Sequence, residues 1–294
     1  MRQSVSSTDN PRIRLLRSLR AAKSRREHSL FLAEGPVVIA EALAAGWVPE
    51  FLVCDADRQE EYGALLDALE ARGCSVMMAP SRIVSLVSDT RTPQGLAAAY
   101  RWAAQPLGER LPAAGVIVLL DKLQDPGNMG TLLRTADAVG AAGVVVSPGC
   151  ADVTAPKVVR AAMGSLFRVP VFADDLVAAL TALRRSGWRS LCGHLDGRDF
   201  FSRGEDAAGT ALVIGNEAAG VSNRVANCCD EKVRLPMPGC APSLNAAVAA
   251  GIMLYDIVRR SGRLNAGRAG EQHNHTTTPK ILYNTARFRY NRKK

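Results

Sequence analysis

Three apolar runs in this chain each end at residues able to hold or activate a ligand. Ala211-Leu-Val-Ile leads into Gly215-Asn-Glu217-Ala-Ala-Gly220, and Val233-Arg-Leu235-Pro-Met237-Pro-Gly239 leads on to Ser243-Leu244-Asn245 at the head of another apolar stretch. Val116-Ile-Val-Leu-Leu120 feeds Asp125-Pro-Gly-Asn128-Met-Gly-Thr-Leu-Leu-Arg134-Thr-Ala. A glycine at a strand exit such as Gly215 lets a ligand approach the main chain, because no side chain intervenes. Leu235 and Leu244 supply apolar walls, with Met237 nearby. Asn128 and Arg134 stand on the first two turns of one helix, where they can address a phosphate or ribose at the strand ends, aided by the field of the helix N-terminus. Glu217, in so apolar a setting, needs a donor or a cation: it either pairs with Arg134 or fixes its own loop. Ser243 is a natural N-cap, and Asn245 suits an early-turn position.

These segments need a scaffold. Asn10-Pro-Arg starts a helix whose apolar side is Ile13, Leu15, Leu16 and Leu19 and whose arginine side runs to about Arg26. Strands at 31–35, 50–54, 75–78 and 95–100, with helices at 36–45, 60–72 and near 83–87, complete a small α/β unit. Residues 101–114, with Pro106, Gly108 and Pro112, read as a linker. Beyond it, strands at 116–120, 143–147, 168–171, 189–193, 211–215 and 232–235 alternate with helices at 128–139, 154–164, 174–186, near 221–226 and at 243–259. Such alternation predicts a mostly parallel sheet covered by helices, with ligands outside the carboxyl ends of the strands. The glycine-marked segments lie at those ends.

Composition narrows the function classes. A chain of 294 residues with 47% hydrophobic content is long enough for two domains with a sizeable core. It holds no uninterrupted apolar run of about 18 residues, so no membrane helix is expected. The seven cysteines are scattered, without CxxC or a Cys/His set; with no secretory leader this predicts reduced thiols, a cytoplasmic location and no structural zinc. Asp121, Asp125 and Asp137 are too dispersed for a metal cluster. There is no GxGxxG or GxxxxGK[ST] fingerprint, which disfavours dinucleotide and ATP enzymes. His273 and His275 sit in a polar tail; His194 follows a strand, where a histidine more often faces solvent than a site. The net charge of +9 is uneven: residues 1–28 carry eight Arg/Lys against two acids and residues 259–294 ten against one, leaving −6 between them. Basic ends on a slightly acidic body suit a polyanion such as nucleic acid.

Three motifs in order, Asn128 with Arg134-Thr-Ala, Ile214-Gly-Asn-Glu217-Ala-Ala-Gly220, and Leu235-Pro-Met with Ser243-Leu-Asn245, resemble those of the SpoU/TrmH family of RNA 2'-O-ribose methyltransferases in the SPOUT superfamily. The resemblance covers roughly residues 10–260. It implies an α/β protein with a C-terminal trefoil-knotted methyltransferase domain at 113–260. Phe31-Leu-Ala-Glu-Gly35 and Val87-Ser-Asp-Thr-Arg-Thr-Pro-Gln-Gly95 are similar to a small ribosomal-protein-like (L30e-like) substrate-binding domain, here at 27–104, behind a basic helical segment at 1–26. A basic tail at 261–294 follows. The resemblance further implies S-adenosyl-L-methionine as cofactor, bound at Gly215, Leu235 and Leu244 with Met237 close by. It makes Arg134 the catalytic arginine, oriented by Asn128, and adds Glu217, Ser243 and Asn245 to the active site. It also implies a homodimer whose sites draw on both subunits, and an RNA partner, rRNA in preference to tRNA.

Methyl transfer from a sulfonium needs in-line attack, so the protein must hold the 2'-hydroxyl near the methyl group and assist loss of its proton. A guanidinium, whose pKa stays above about 12, is a poor base; positioning a phosphate and stabilising the developing alkoxide suit Arg134 better. Met129 stands where the family commonly has a branched residue, and Ala218-Ala219 where glycine is frequent; neither removes a reactive group. Two alternatives remain at this point: a tRNA substrate, or a catalytically silent RNA-binding role in ribosome assembly. The last apolar helix, with Leu244, Val248, Ile252, Leu254, Tyr255 and Val258, serves either the monomer core or a dimer interface.

Overall fold

The computed structural model describes residues 2–109, 111–112, 114–204 and 207–263, so the expected tail lies outside the described residues from position 264 onward. The N-terminal part runs β1 (Gln3–Ser4), α1 (Pro11–Ser18), α2 (Ala22–His28), β2 (Leu30–Glu34), α3 (Pro36–Ala44), β3 (Phe51–Asp55), α4 (Gln59–Ala71), β4 (Ser75–Ala79), α5 (Ser81–Val87) and β5 (Leu96–Arg101). These strands form one sheet in the order β1-β4-β3-β5-β2, in which β5 runs antiparallel to β3 and β2. The basic start of the chain is two helices instead of one. Arg25 explains the break: its Nη1 donates to the carbonyls of Leu19 and Arg20, both at 2.9 Å, satisfying groups that a continuing helix would have bonded itself. Ile13, Leu16 and Leu19 are buried with Val5 against Ile83, Val84 and Val87, so the segment is built into this sheet's core.

The second part comprises β6 (Gly115–Leu120), α6 (Pro126–Ala138), β7 (Gly143–Val146), α7 (Pro156–Ala162), β8 (Val171–Ala173), α8 (Leu176–Arg185), β9 (Arg189–Asp199), β10 (Gly209–Ile214), α9 (Asn223–Ala226), β11 (Glu231–Arg234) and α10 (Ala246–Arg260). Its strands form one sheet in the order β11-β9-β10-β6-β7-β8, with every pairing parallel. Helices cover both faces, which is why Val116 to Leu120 and Ala211 to Ile214 are apolar without alternation and wholly buried.

Most boundaries fall within two residues of the sequence expectation, and three depart from it for reasons visible in the structure. The strand expected at 168–171 lies at 171–173, because Ser165–Phe167 wind into a 3-10 turn and Arg168 is drawn to Asp137 and Glu41. The strand expected at 189–193 continues to Asp199 after an excursion: Lys232 pairs Cys192 and Val233 pairs Arg198, so the intervening residues stand out of the ladder. The last helix starts at Ala246, capped by Asn245 and not by Ser243.

The two sheets share one continuous apolar core. Phe167, from the second part, packs on Tyr100 and Phe31 of the first at ring separations of 5.0 and 5.8 Å, and its carbonyl accepts the indole N–H of Trp47 at 2.9 Å. A second tie is ionic: Arg25, 6% exposed, donates to Asp152 Oδ2 through Nη2 at 2.6 Å and Nε at 3.1 Å.

Candidate active site

The site grows from the exit of β6. Asp125 caps α6, its Oδ1 accepting the N–H of Asn128 at 2.8 Å, while Pro126 sits at the first helical position, where its missing N–H costs nothing. This fixes Asn128 at the third helical position, with its amide facing the exit of β10. Its Nδ2 donates to Glu217 Oε1 at 3.0 Å, and its Oδ1 accepts from Asn245 Nδ2 at 2.9 Å. Asn245 uses its own Oδ1 to cap α10, accepting from Ala247 and Val248 at 2.9 and 3.3 Å. The three motifs are thus joined side chain to side chain as Glu217–Asn128–Asn245.

Glu217 does not pair with Arg134. Its carboxylate also takes the main-chain N–H groups of Asp125 at 2.9 Å and Gln124 at 3.1 Å, so it is a loop clamp. Burial pushes its pKa up, but the hydrogen bonds from Asn128, Asp125 and Gln124 outweigh this and hold it below the usual carboxylate range. The clamped loop is unusual: Lys122 has φ +56°, in the left-handed region that non-glycine residues seldom adopt. Ser147 Oγ accepts the N–H of Lys122 at 2.9 Å, Asn216 Nδ2 donates to its carbonyl at 2.9 Å, and Ala151 N–H reaches the carbonyl of Leu123 at 2.7 Å.

The Gly215 loop is closed by reciprocal main-chain bonds between Asn216 and Gly220, at 3.0 and 2.9 Å, and by Asn216 Oδ1, which accepts from Ala218 and Ala219. A Cβ at Gly215 would lie 2.1 Å from the carbonyl carbon of Gly220, so only glycine permits this closure. Beside it opens a cavity of about 430 Å³. Gly215, Leu235, Met237, Ser243 and Leu244 all line it, together with Glu217. Asn128 and Asn245 are not among its lining residues and are tied to its wall through Glu217 and the α10 cap.

Arg134 lies elsewhere. It is exposed on α6, makes no hydrogen bond or ion pair with a described residue, and opens onto a separate cleft with Glu41, Asp137 and Arg168. Within one chain Asn128 does not touch it; the Asn128 amide bonds to Glu217 and Asn245.

Sequence reasoning undervalued His194. The excursion from β9 carries His194, Leu195 and Asp196 to the cavity wall, where His194 Nδ1 accepts the N–H of Asp196 at 3.1 Å. The signal was the pair Gly193 and Gly197 around them: a Cβ at Gly197 would lie 2.5 Å from the Val233 backbone, so the loop returns to the sheet only through glycine. Asn216, the organiser of the Gly215 loop, was also missed. Main-chain groups at Gly215–Gly220 opposite the apolar Leu235, Met237 and Leu244 suit a ligand with a flat apolar part and a polar rim. Among the described residues no group of three His, Cys, Asp or Glu could hold a metal ion.

Comparison with known proteins gives the same assignment. The model of the SpoU rRNA Methylase family matches residues 115–255, and that of the MRM3-like substrate binding domain matches residues 10–98. The 23S rRNA (guanosine(2553)-2'-O)-methyltransferase RlmP of Bacillus subtilis is 34% identical over 254 residues, covering 86% of this chain and 98% of that protein. The 23S rRNA (uridine(2479)-2'-O)-methyltransferase of Streptomyces viridochromogenes is 35% identical over 247 residues, covering 79% of this chain and 84% of its own. The AdoMet-bound rRNA methyltransferase from Sinorhizobium meliloti superposes with a TM-score of 0.79 at 32% identity, over 87% of this chain and 97% of that one. With its three motifs joined through Glu217, Asn128 and Asn245 and both of its parts matched, the chain belongs to the SpoU rRNA methylase family of S-adenosylmethionine-dependent RNA 2'-O-ribose methyltransferases.

Proposed function

We propose that the chain methylates a ribose 2'-hydroxyl of a 23S-type rRNA as a cytoplasmic homodimer, with the cofactor in the Gly215 cavity of one subunit and Arg134 supplied by the other. The observation that carries this reading is the separation of the two halves of the chemistry within one chain: the cavity is walled by Glu217, Leu235 and Leu244, whereas Arg134 faces a different cleft. A second copy supplies what is missing. Its docking surface is on α10, where the apolar residues divide: Leu254 and Val258 are buried in the monomer, while Val248, Ile252 and Tyr255 are 51%, 40% and 47% exposed, a stripe at helical spacing beside α6. The rRNA target rests on the activities of the Bacillus and Streptomyces relatives. The cytoplasmic setting is supported by seven free thiols.

The residues fit S-adenosylmethionine. The Gly215 cradle, which a Cβ would fill, offers main-chain groups, and Leu235, Met237 and Leu244 offer apolar contact. When bound, the cofactor supplies an electrophilic methyl group on a sulfonium. Glu217 and Asn128 hold the loops that shape the cavity, Ser243 lies on its wall, and Asn245 fixes the start of α10 against them. Arg134, free of internal partners, orients the ribose and neighbouring phosphate and stabilises negative charge on the 2'-oxygen as its proton leaves.

We further infer the trefoil knot and a ribosomal-protein-like N-terminal domain, which takes in the first 26 residues as well as 27–104 because β1 and α1 belong to its sheet and core. The knot is supported by α10, which follows the last strand yet returns to pack on α6, β6 and β10. The substrate-binding match over residues 10–98 supports the second. Sedimentation of the full chain should give a dimer that Ile252→Glu converts to monomer with loss of methyl transfer; a fully active monomer would refute the shared site.

A further inference from the structure

The cleft that holds Arg134 has a volume of about 340 Å³ and lies on the seam between α3 of the N-terminal part and α6 with the turn after α7. Its base is a closed ion cluster. Arg168 donates to Asp137 Oδ2 through Nε at 2.9 Å and Nη2 at 2.7 Å, reaches the Glu41 carboxylate through Nη1, and Ser165 Oγ donates to Asp137 Oδ2 at 2.8 Å. One guanidinium shared by two carboxylates leaves acceptor capacity facing the cleft. Among the described residues, Arg134 has no ion-pair or hydrogen-bond partner, whereas Arg168 has both carboxylates. The lips are apolar: Val37 is 43% exposed and Met163 44% exposed.

Two further features indicate a shaped cleft. Met163 ends α7 in the left-handed conformation, φ +50°, its N–H closing on the carbonyl of Arg160, which sets its side chain at the mouth of the cleft. Gly164 has φ +90°, and a Cβ there would stand 2.6 Å from Cβ of Glu41, so the two parts close tightly just beneath Met163. The two parts therefore meet closely along the floor of the cleft.

We propose that this cleft seats the target nucleotide of the RNA, with Arg134 on its ribose or phosphate oxygens and its base laid against Met163 and Val37. The N–H donors of the base then face Glu41 and Asp137. This adds a base-recognition site, contributed partly by the N-terminal domain, to the methyltransferase reading on which it rests. A nucleotide fits for reasons of chemistry: it presents an anion, a flat apolar face and N–H donors together, matching a free guanidinium, two apolar lips and carboxylate acceptors. The position fits too, because Val37 and Glu41 lie within the part matched as substrate binding and Arg134 within the methylase.

The test uses the full chain with Met163→benzoylphenylalanine, illuminated on an unmodified in vitro 23S rRNA transcript, beside wild-type label transfer to the same RNA. The expected crosslink falls on the nucleotide that wild type methylates or on its immediate neighbour. Met163→Ala should raise the KM for RNA about tenfold, with cofactor Kd unchanged, and Met163→Leu should restore it. Crosslinking only to remote nucleotides, or an unchanged KM in Met163→Ala, overturns the cleft proposal while leaving the methyltransferase reading standing. Absence of transfer by wild type overturns both.

Discussion

Glu217 and Asn128, 89 residues apart in sequence, meet at 3.0 Å, and the same carboxylate holds the two main-chain N–H groups just ahead of the helix that bears Asn128. The glutamate is thus the fastener between the exits of the two central strands, β6 and β10, and it lines the cavity beside them.

Glu217→Gln keeps the shape of the side chain but loses the charge that favours three donors. Cofactor affinity should fall about tenfold, consistent with the loss of charge-assisted hydrogen bonds worth about 1.5–3 kcal/mol each in general. The folded-state pKa of Glu217 is depressed, so its stabilisation is present above the ordinary carboxylate range and is lost as pH falls through the folded value. The stability difference between wild type and Glu217→Gln, followed by denaturant titration, should be widest near neutral pH and close in acid. A gap independent of pH would contradict the clamp.

Asn245 does two jobs that substitutions can separate. Asn245→Ser keeps a capping oxygen for the N–H groups of Ala247 and Val248 but cannot reach Asn128, whereas Asn245→Ala loses both. Asn245→Ala should be about 1 kcal/mol less stable than Asn245→Ser in thermal or urea unfolding, while the two show the same loss of methyl transfer. If Asn245→Ser keeps full activity, the bridge to Asn128 has no part in the reaction.

The sequence revealed the strand ends because glycine, an apolar run and a polar helix start leave a local signature. Gly215, Leu235, Met237, Ser243 and Leu244 accordingly share one cavity. Partner choice was not local. Whether Glu217 met Arg134 or a loop depended on which side of α6 Arg134 faced once β10 lay beside β6; the structure turns Arg134 away and gives Glu217 the loop ahead of α6. The cap of α10 was misjudged for a related reason: Ser243 and Asn245 both suit that position, and the contact of Asn245 with Asn128, 117 residues away, decides between them. The mostly parallel character of the second sheet was foreseeable from strand–helix alternation, its strand order was not; the excursion at His194 required knowing that β11 pairs on both sides of it.

Arg134→Ala should abolish methyl transfer while leaving cofactor Kd and thermal stability near wild type, because no described residue loses a partner. Gly215→Ala should lose cofactor binding, since its Cβ would collide with the Gly220–Val221 backbone at 2.1–2.2 Å. Mixed dimers of the two inactive variants should regain about a quarter of wild-type activity, one intact composite site in half of the dimers. No recovery from well-mixed dimers would show that Arg134 works within its own chain.

Arg25→Ala should cost about 2–3 kcal/mol in urea unfolding, less than for a fully buried pair because Asp152 stays one-third exposed and keeps its bonds from Thr154. Beyond Asp152, the change strands the carbonyls of Leu19 and Arg20, which Arg25 also holds. A loss below about 1 kcal/mol would mean that the α1–α2 turn and the seam are held by packing alone.

The most direct test of the central claim is transfer of a labelled methyl group from S-adenosylmethionine to unmodified 23S-type rRNA, with unmodified tRNA in parallel, followed by nucleoside analysis. Label confined to one ribose 2'-oxygen of the rRNA is the predicted result. Label on tRNA alone, on a base, or on neither RNA with a folded dimer that binds the cofactor would contradict the proposed reaction on rRNA.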